Sequence, residues 1–122
     1  MASNNRPMSP HLDIYRWRIT MLTSTLHRLT GVVVSLGMFV LVIKLALFAG
    51  GGHDGFAASG KFANSFWFVW SLTVYYHLCN GIRHLAWDAG KGFDVPTAEK
   101  TAKWVLFGAV VLTLLTWVFV AF

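Results

Sequence analysis

The segment FANSFWFVWSLTVYYHLCNGIRHLAWD, residues 62–88, decides how this chain folds, because no charged residue occurs in it before Arg83. An α-helix needs about 20 predominantly apolar residues to cross a bilayer, and the uncharged run Phe62–Ile82 is of that length. Two further runs, Leu29–Ala49 and Trp104–Phe122, are also nearly free of charge. We therefore predict an all-α membrane protein, a single transmembrane anchor domain over residues 1–122, with spans at about 29–49, 62–88 and 104–122 after an N-terminal segment 1–23.

The segments between the runs have the composition of loops. Glycines end the first run at Gly50–Gly55, and the segment Gly90–Thr97 separates the second run from the third. Thr97, directly after Pro96, is predicted to cap the third helix. The one charge inside a run, Lys44, lies about a turn from the end of its run, where its long stem can reach the headgroups.

The charge balance indicates a membrane orientation rather than a nucleic-acid partner. The chain is 56% hydrophobic and only 12% charged, and its net charge of +5 comes from basic residues that flank the runs instead of forming a stripe. With three spans, most of these residues fall on the side of the N-terminus, which the positive-inside rule places in the cytoplasm. They are Arg6, Arg16, Arg18, Arg28, Lys91, Lys100 and Lys103.

A polar stripe closes the second run. At 3.6 residues per turn, positions 77, 81, 84 and 88 lie on one face of a helix. That face carries His77, Gly81, His84 and Asp88. Polar groups are costly in an apolar helix, and they usually mark a functional site. Gly81 has no side chain, and this leaves room for a large flat ligand near the backbone.

A second polar segment, Ser24–Gly31, stands at the start of the first span. Neighbouring antiparallel spans would bring His84 and Asp88 to the same depth as His27 and Arg28. Such a cluster is what a binding site at the cytoplasmic interface needs, with Arg28 and the histidines available for carboxylates. Ordinary helix ends supply similar residues, and in that simpler interpretation Arg28 and Arg83 only mark span ends near anionic headgroups.

Two kinds of chemistry suit a histidine as deep as His77. Imidazole is a standard axial ligand of haem, and apolar surroundings suit the porphyrin. A proton relay through His77 and His84 is the competing use. His84 cannot be the second axial ligand, because it leaves the same wall of the same helix; that ligand would come from His27 or from a partner subunit. The single cysteine, Cys79, is interpreted as a packing residue.

Three sequence blocks resemble one known family. They are Arg6–Leu12 with Tyr15, the segment Ser24–Gly31, and His77 with Gly81–Asp88 and Gly90. Together, and at this spacing, they are similar to the cytochrome b556 subunits of succinate dehydrogenase. That resemblance implies the large membrane anchor of respiratory complex II, paired with a small membrane-anchor subunit in a heterodimeric helix bundle of the bacterial inner membrane.

The resemblance also implies roles for individual residues. His77 would be an axial ligand of haem b, with the other axial histidine supplied by the small anchor subunit. His27, Arg28 and His84 would lie near the haem propionates. Ser24 and Arg28 would bind ubiquinone, with Trp17 and Thr25 beside that site at the cytoplasmic interface.

The implied function is electron transfer in the respiratory chain and the tricarboxylic acid cycle. A flavoprotein subunit would oxidise succinate, and an iron–sulfur subunit would pass the electrons to ubiquinone bound partly by this chain. The chain itself has no dinucleotide fingerprint, and one cysteine cannot hold a cluster. The alternatives are a fumarate reductase-type anchor for menaquinone, a haem-free structural anchor, and a small proton-coupled transporter, although no paired broken helices favour a transporter.

Overall fold

A computed structural model describes residues 16–51 and 61–121. It contains three α-helices: α1 at Ile19–Ala49, α2 at Lys61–Asp88 and α3 at Val95–Ala121. Helix α2 packs along both neighbours, whereas α1 and α3 touch each other over a smaller area. The predicted all-α architecture with three long helices is confirmed.

The lengths of the helices bear on the predicted membrane spans. α1 has 31 residues, and both it and α3 are long and apolar enough to cross a bilayer. α2 has 28 residues but is less apolar along its length than α1 and α3, and it is not among the helices that are apolar enough to cross a bilayer by composition alone. That α2 also crosses the membrane, and that the N-terminus is cytoplasmic, remain predictions.

Most large apolar side chains face outward. Leu29, Leu36 and Phe39 on α1 are each more than half exposed, as are several on α3. The small buried core between α2 and α3 is formed by Tyr76, Val105 and Ala109. Apolar outer surfaces with a small interior are expected of helices that meet lipid or the helices of other subunits.

Small residues allow the helices to approach one another closely. Ala98, Ala102 and Ala109 are buried on one face of α3. On α1, Gly37 is buried under the Trp70 ring of α2, where an added Cβ would lie 1.7 Å from the indole nitrogen. The α1–α2 contact at this level therefore requires glycine.

Helix α1 begins further upstream than the first apolar run. Arg18 is extended, and its carbonyl accepts hydrogen bonds from the backbone N–H groups of Met21 and Leu22. The helix therefore includes the last residues of the segment 1–23. The block Arg6–Leu12, Tyr15 and residues 52–60 lie outside the described residues.

Helix α3 also begins before the predicted start at Thr97, which was wrong. Asp94 caps it: the Asp94 carboxylate accepts hydrogen bonds from the Thr97 backbone N–H, at 3.2 Å, and from the Thr97 hydroxyl. The hydroxyl bond is the main reason that the pKa of Asp94 lies below its usual value. The helix therefore starts at Val95, and Pro96 occupies its first turn, where no intrahelical N–H donor is needed.

Candidate functional site

Three imidazoles meet between α1 and α2. The His27 ring stacks on the His77 ring, with centroids 4.0 Å apart and planes 10° from parallel. The His27 and His84 centroids are 5.1 Å apart, at an angle of 41°. His27 thus contacts both α2 histidines, and the structure brings together the two polar segments that the sequence placed at one depth. We call His27, His77 and His84 the histidine cluster.

The edge of the His77 ring lies against the α1 backbone. Its Nδ1 atom is 3.2 Å from the Thr30 hydroxyl. A Cβ added to Gly31 would lie 3.2 Å from His77 Cε1, which is closer than side chains normally approach. At Gly81 an added Cβ would meet His27 Cε1 at 3.9 Å, an ordinary contact. Gly31 is therefore the glycine that admits the His77 ring, while the space predicted for a flat ligand at Gly81 stays a prediction.

The histidine cluster is not saturated with hydrogen bonds. His27 Nδ1 is buried and has no hydrogen-bond partner among residues 16–51 and 61–121. Buried polar atoms rarely lack a hydrogen-bond partner, and an exception indicates a missing ligand, water or subunit. The donor set, imidazoles beside a hydroxyl in apolar surroundings, fits a haem, whose iron takes imidazole and whose propionates take cationic or N–H donors.

The stacked rings also limit which histidine could complete an axial pair. Two axial imidazoles point at one metal from opposite sides, whereas the rings of His27 and His77 lie face to face. In this arrangement they cannot both direct a nitrogen at one iron. The stacked pair therefore does not supply two opposed ligands to one metal ion.

The residues that the resemblance assigns to a quinone lie at the same end of α1. Ser24 is half-buried, whereas Thr25, Arg28 and Trp17 are exposed. Ser24 and Arg28 are four residues apart and so share a face of the helix. Arg28 lies next to His27 in the chain but outside the buried contacts between the helices. Asp88, at the end of α2, is exposed as well.

A second polar cluster was not predicted. Arg83 is only 5% exposed, and its guanidinium donates to Thr23 Oγ1 at 3.1 Å on α1. It also donates to Thr101 Oγ1 at 3.2 Å and to the Ala98 carbonyl at 3.0 Å, both on α3. The interpretation of Arg83 as a span-end marker facing headgroups is therefore wrong. Its side chain connects all three helices.

The residues around Arg83 hydrogen-bond to Arg83 and to one another. Asn80 Oδ1 accepts from Arg83 at 3.2 Å, while Asn80 Nδ2 donates to the Thr23 carbonyl at 3.3 Å. The Tyr76 hydroxyl donates to the same carbonyl at 2.8 Å. The guanidinium also lies over the Trp87 ring, 4.1 Å from its centroid. We call Arg83, Thr23, Asn80, Tyr76 and Thr101 the arginine cluster.

The sequence did contain a signal for the arginine cluster. Tyr76, Asn80, Arg83 and Trp87 recur at helical spacing, exactly one position before the histidine stripe. Their partners on α1 and α3 are two threonine hydroxyls and two backbone carbonyls, which leave no pattern in a sequence. Cys79 packs against the buried core and lies 3.7 Å from a Cβ built at Gly108, consistent with its interpretation as a packing residue.

Comparisons with known proteins agree with the resemblance. A family model described as Succinate dehydrogenase/Fumarate reductase transmembrane subunit matches residues 2–116. The chain is 40% identical over 115 residues to the succinate dehydrogenase cytochrome b556 subunit of Rickettsia conorii, covering 94% of this chain and 93% of the relative. It is 34% identical over 125 residues to the subunit of the same name from Paracoccus denitrificans, covering 92% and 89%.

A second subunit name, cytochrome b560, also occurs among the relatives. The succinate dehydrogenase cytochrome b560 subunit of Reclinomonas americana is 35% identical over 123 residues, covering 93% of this chain and 85% of the relative. Matches of this extent span all three helices. The chain therefore belongs to the family of succinate dehydrogenase/fumarate reductase transmembrane subunits.

Proposed function

We propose that this chain is the cytochrome b membrane anchor of a succinate dehydrogenase, with three spans, a cytoplasmic N-terminus and a place in the bacterial inner membrane. The names of its relatives support this, since those compared above are succinate dehydrogenase cytochrome subunits. At about 1.5 Å per residue, the 28 residues of α2 are also long enough to cross a bilayer beside α1 and α3. Its polar face would then be directed at other helices rather than at lipid.

The observation that carries the proposal is the histidine cluster. His77 is proposed as the axial ligand on this chain, and His27, Arg28 and His84 as the groups near the propionates. Nδ1 of His27 supports this, because it is buried and has no partner in the part of the chain that the structure describes, and an anionic ligand could accept a hydrogen bond from it. A bound haem b would supply a one-electron store. Its second axial histidine would come from the small anchor subunit.

The quinone site is proposed at the N-terminal end of α1. Ser24 would donate a hydrogen bond to a carbonyl oxygen of ubiquinone, and Arg28 would stabilise the negative charge that develops on that oxygen during reduction. Their shared helix face supports a joint role. Thr25 and Trp17 are proposed beside them as flanking contacts.

The electrons would come from partner subunits. A flavoprotein would oxidise succinate and an iron–sulfur protein would carry the electrons to the membrane, since one cysteine in this chain cannot bind a cluster. The family description also covers fumarate reductase anchors, which would work with menaquinone in the opposite direction. The names of the relatives favour succinate oxidation.

The proposal is tested on the intact complex, purified through a tag on this chain in mild detergent. We expect an optical difference spectrum with a b-type haem signal that succinate generates as well as dithionite. The absence of any haem signal would contradict haem binding, and a purified complex without flavoprotein and iron–sulfur subunits would contradict the electron-donating partners.

The quinone site is tested separately with Arg28→Leu. We expect this variant to lose most succinate:ubiquinone activity, while succinate oxidation with an artificial acceptor continues. Lys91→Leu is a matched control, since it removes an exposed cation in the loop beyond α2 and should leave both activities unchanged. Equal loss of both activities in Arg28→Leu would contradict the proposed role.

A further inference from the structure

The Thr30 hydroxyl makes two contacts. Thr30 Oγ1 lies 3.0 Å from the His27 carbonyl, one turn earlier on α1, and 3.2 Å from His77 Nδ1 on α2. A hydroxyl has a single proton to donate and two lone pairs to accept with. A carbonyl oxygen can only accept, so the proton of Thr30 is directed to His27. The Thr30 oxygen then accepts a hydrogen bond from His77 Nδ1–H.

This assignment determines the tautomer of His77. Both contacts are hydrogen bonds only when the imidazole proton is on Nδ1. The lone pair of a neutral imidazole is then on Nε2, the nitrogen at the far side of the ring from Thr30. The hydroxyl of Thr30 therefore leaves Nε2 as the nitrogen able to bind a metal.

The same contacts hold the ring in one orientation. Thr30 binds one edge, the backbone at Gly31 lies beside Cε1, and the His27 ring covers one face. A rotation of the His77 ring would break the hydrogen bond or press Cε1 into α1. None of these contacts uses Nε2.

We infer that Thr30 is a positioning residue for His77: its hydroxyl selects the tautomer, orients the ring and increases the basicity of Nε2 toward iron. This inference rests on the proposed axial role of His77. Ligating histidines generally donate their other N–H to an acceptor, and loss of that acceptor typically weakens metal affinity by about 10- to 100-fold. A more basic imidazole also stabilises the oxidised metal, so the hydrogen bond lowers the midpoint potential of the haem.

The test compares Thr30→Val, which removes the hydroxyl at nearly constant shape, with Thr30→Ser, which keeps it. The whole complex is used, and three quantities are measured: haem per complex, midpoint potential and the electron paramagnetic resonance spectrum of the oxidised haem. In Thr30→Val we expect a higher potential, a changed resonance spectrum and about 10- to 100-fold weaker haem retention. Thr30→Ser should restore all three.

Thr113→Val is the matched control. The Thr113 hydroxyl donates to the Ala109 carbonyl of its own helix, α3, at 2.7 Å, and α3 contributes no residue to the histidine cluster. The control should therefore have the haem properties of the unmodified complex. A similar shift in this control would show that any threonine-to-valine change disturbs the bundle, and it would overturn the inference.

Failure of the inference and failure of the proposed function are distinguishable. If Thr30→Val keeps the original potential and spectrum while His77→Leu loses the haem, Thr30 has no positioning role but His77 remains the ligand. If Thr30→Ser is shifted as much as Thr30→Val, the hydroxyl is not the cause. If His77→Leu keeps the haem unchanged, the proposed axial role itself is wrong. Copurification of the partner subunits reports assembly of every variant.

Discussion

Two polar clusters meet on helix α2. The α2 residues of the arginine cluster come one position before those of the polar stripe that contains His77 and His84. In the arginine cluster, the guanidinium has acceptors on all three helices, and the carbonyl of Thr23 accepts from two side chains. In the histidine cluster, a buried nitrogen of His27 has no partner among the described residues. This contrast in hydrogen bonding shows that polarity in an apolar helix does not by itself mark a binding site. Unused hydrogen-bonding capacity is the better indicator.

The physical reason is the cost of burying polar groups. A buried cation is tolerated when hydrogen bonds replace its hydration, and the arginine cluster provides them. The bonds to Thr101, Thr23, Asn80 and Ala98 use four of the five N–H donors of Arg83, so this cluster holds the three helices in register. In the histidine cluster, a buried nitrogen of His27 lacks a partner within residues 16–51 and 61–121, and a further molecule or subunit would supply one.

Removal of the central cation should have the largest effect on stability. Arg83→Leu leaves the Ala98 carbonyl and Asn80 Oδ1 without their charged donor, at a cost of about 3 kcal/mol. We expect a lower yield of assembled complex and a lower melting temperature in detergent. Asp88→Asn is the control, since Asp88 is exposed one turn further along α2. An Arg83→Leu complex as stable as the original would remove the distinction between the clusters.

A second variant tests whether the histidine cluster contributes to stability. His27→Phe keeps a flat ring against His77 but removes both nitrogens. If the histidine cluster serves binding, we expect the free energy of unfolding of the haem-free complex to change by less than about 1 kcal/mol, because a buried nitrogen without a partner contributes no hydrogen bond to folding. Haem spectra should change. A loss of stability as large as that of Arg83→Leu would make His27 a structural residue.

A smaller effect is expected within the arginine cluster from Tyr76→Phe. It removes one neutral hydrogen bond to the Thr23 carbonyl, which retains Asn80 as a donor, so the cost should be about 1 kcal/mol. Thermal unfolding of the complex measures it. Tyr75→Phe is a matched control, since the Tyr75 hydroxyl bonds to Thr116 Oγ1 outside both clusters. A Tyr76→Phe complex with unimpaired succinate-reducible haem would be consistent with a structural cluster, whereas selective loss of the haem would not.

We expect the smallest effect on stability from Asp94, the residue that caps α3 and lies outside both clusters. The pKa of Asp94 is lower in the folded chain than in an unfolded one, chiefly through the Thr97 hydroxyl. The cap therefore contributes stability above the unfolded-state pKa of about 4, and this contribution is lost as the pH falls through the lowered folded-state value. Asp94→Asn should reduce the acid sensitivity of unfolding slightly. An unchanged pH profile would show that the cap does not contribute.

Much of the fold was predictable because uncharged runs of about 20 residues have few alternatives to helices in a membrane. The starts of α1 and α3 could not be predicted in this way, because the first turns of both helices contain polar residues and lie outside the uncharged runs. Asp94 as the cap was missed because Pro96 suggested a later start at Thr97.

The site was predictable only in outline. His27 and His84 meet because α1 and α2 are antiparallel neighbours, and this contact could be predicted from the order of the helices. The buried role of Arg83 depends on Thr23 and Thr101, which come from two other helices and show no pattern of their own. The contact between Thr30 and His77 depends on a close approach at Gly31 that no single helix reveals.

The central claim is that the histidine cluster binds haem while the arginine cluster holds the bundle together. The most direct measurement is the dithionite-reduced minus oxidised spectrum of the purified complex carrying His77→Leu, with partner copurification as the measure of assembly. We predict an assembled complex whose b-type haem signal is lost or strongly altered. An assembled complex with an unchanged haem spectrum would contradict the claim.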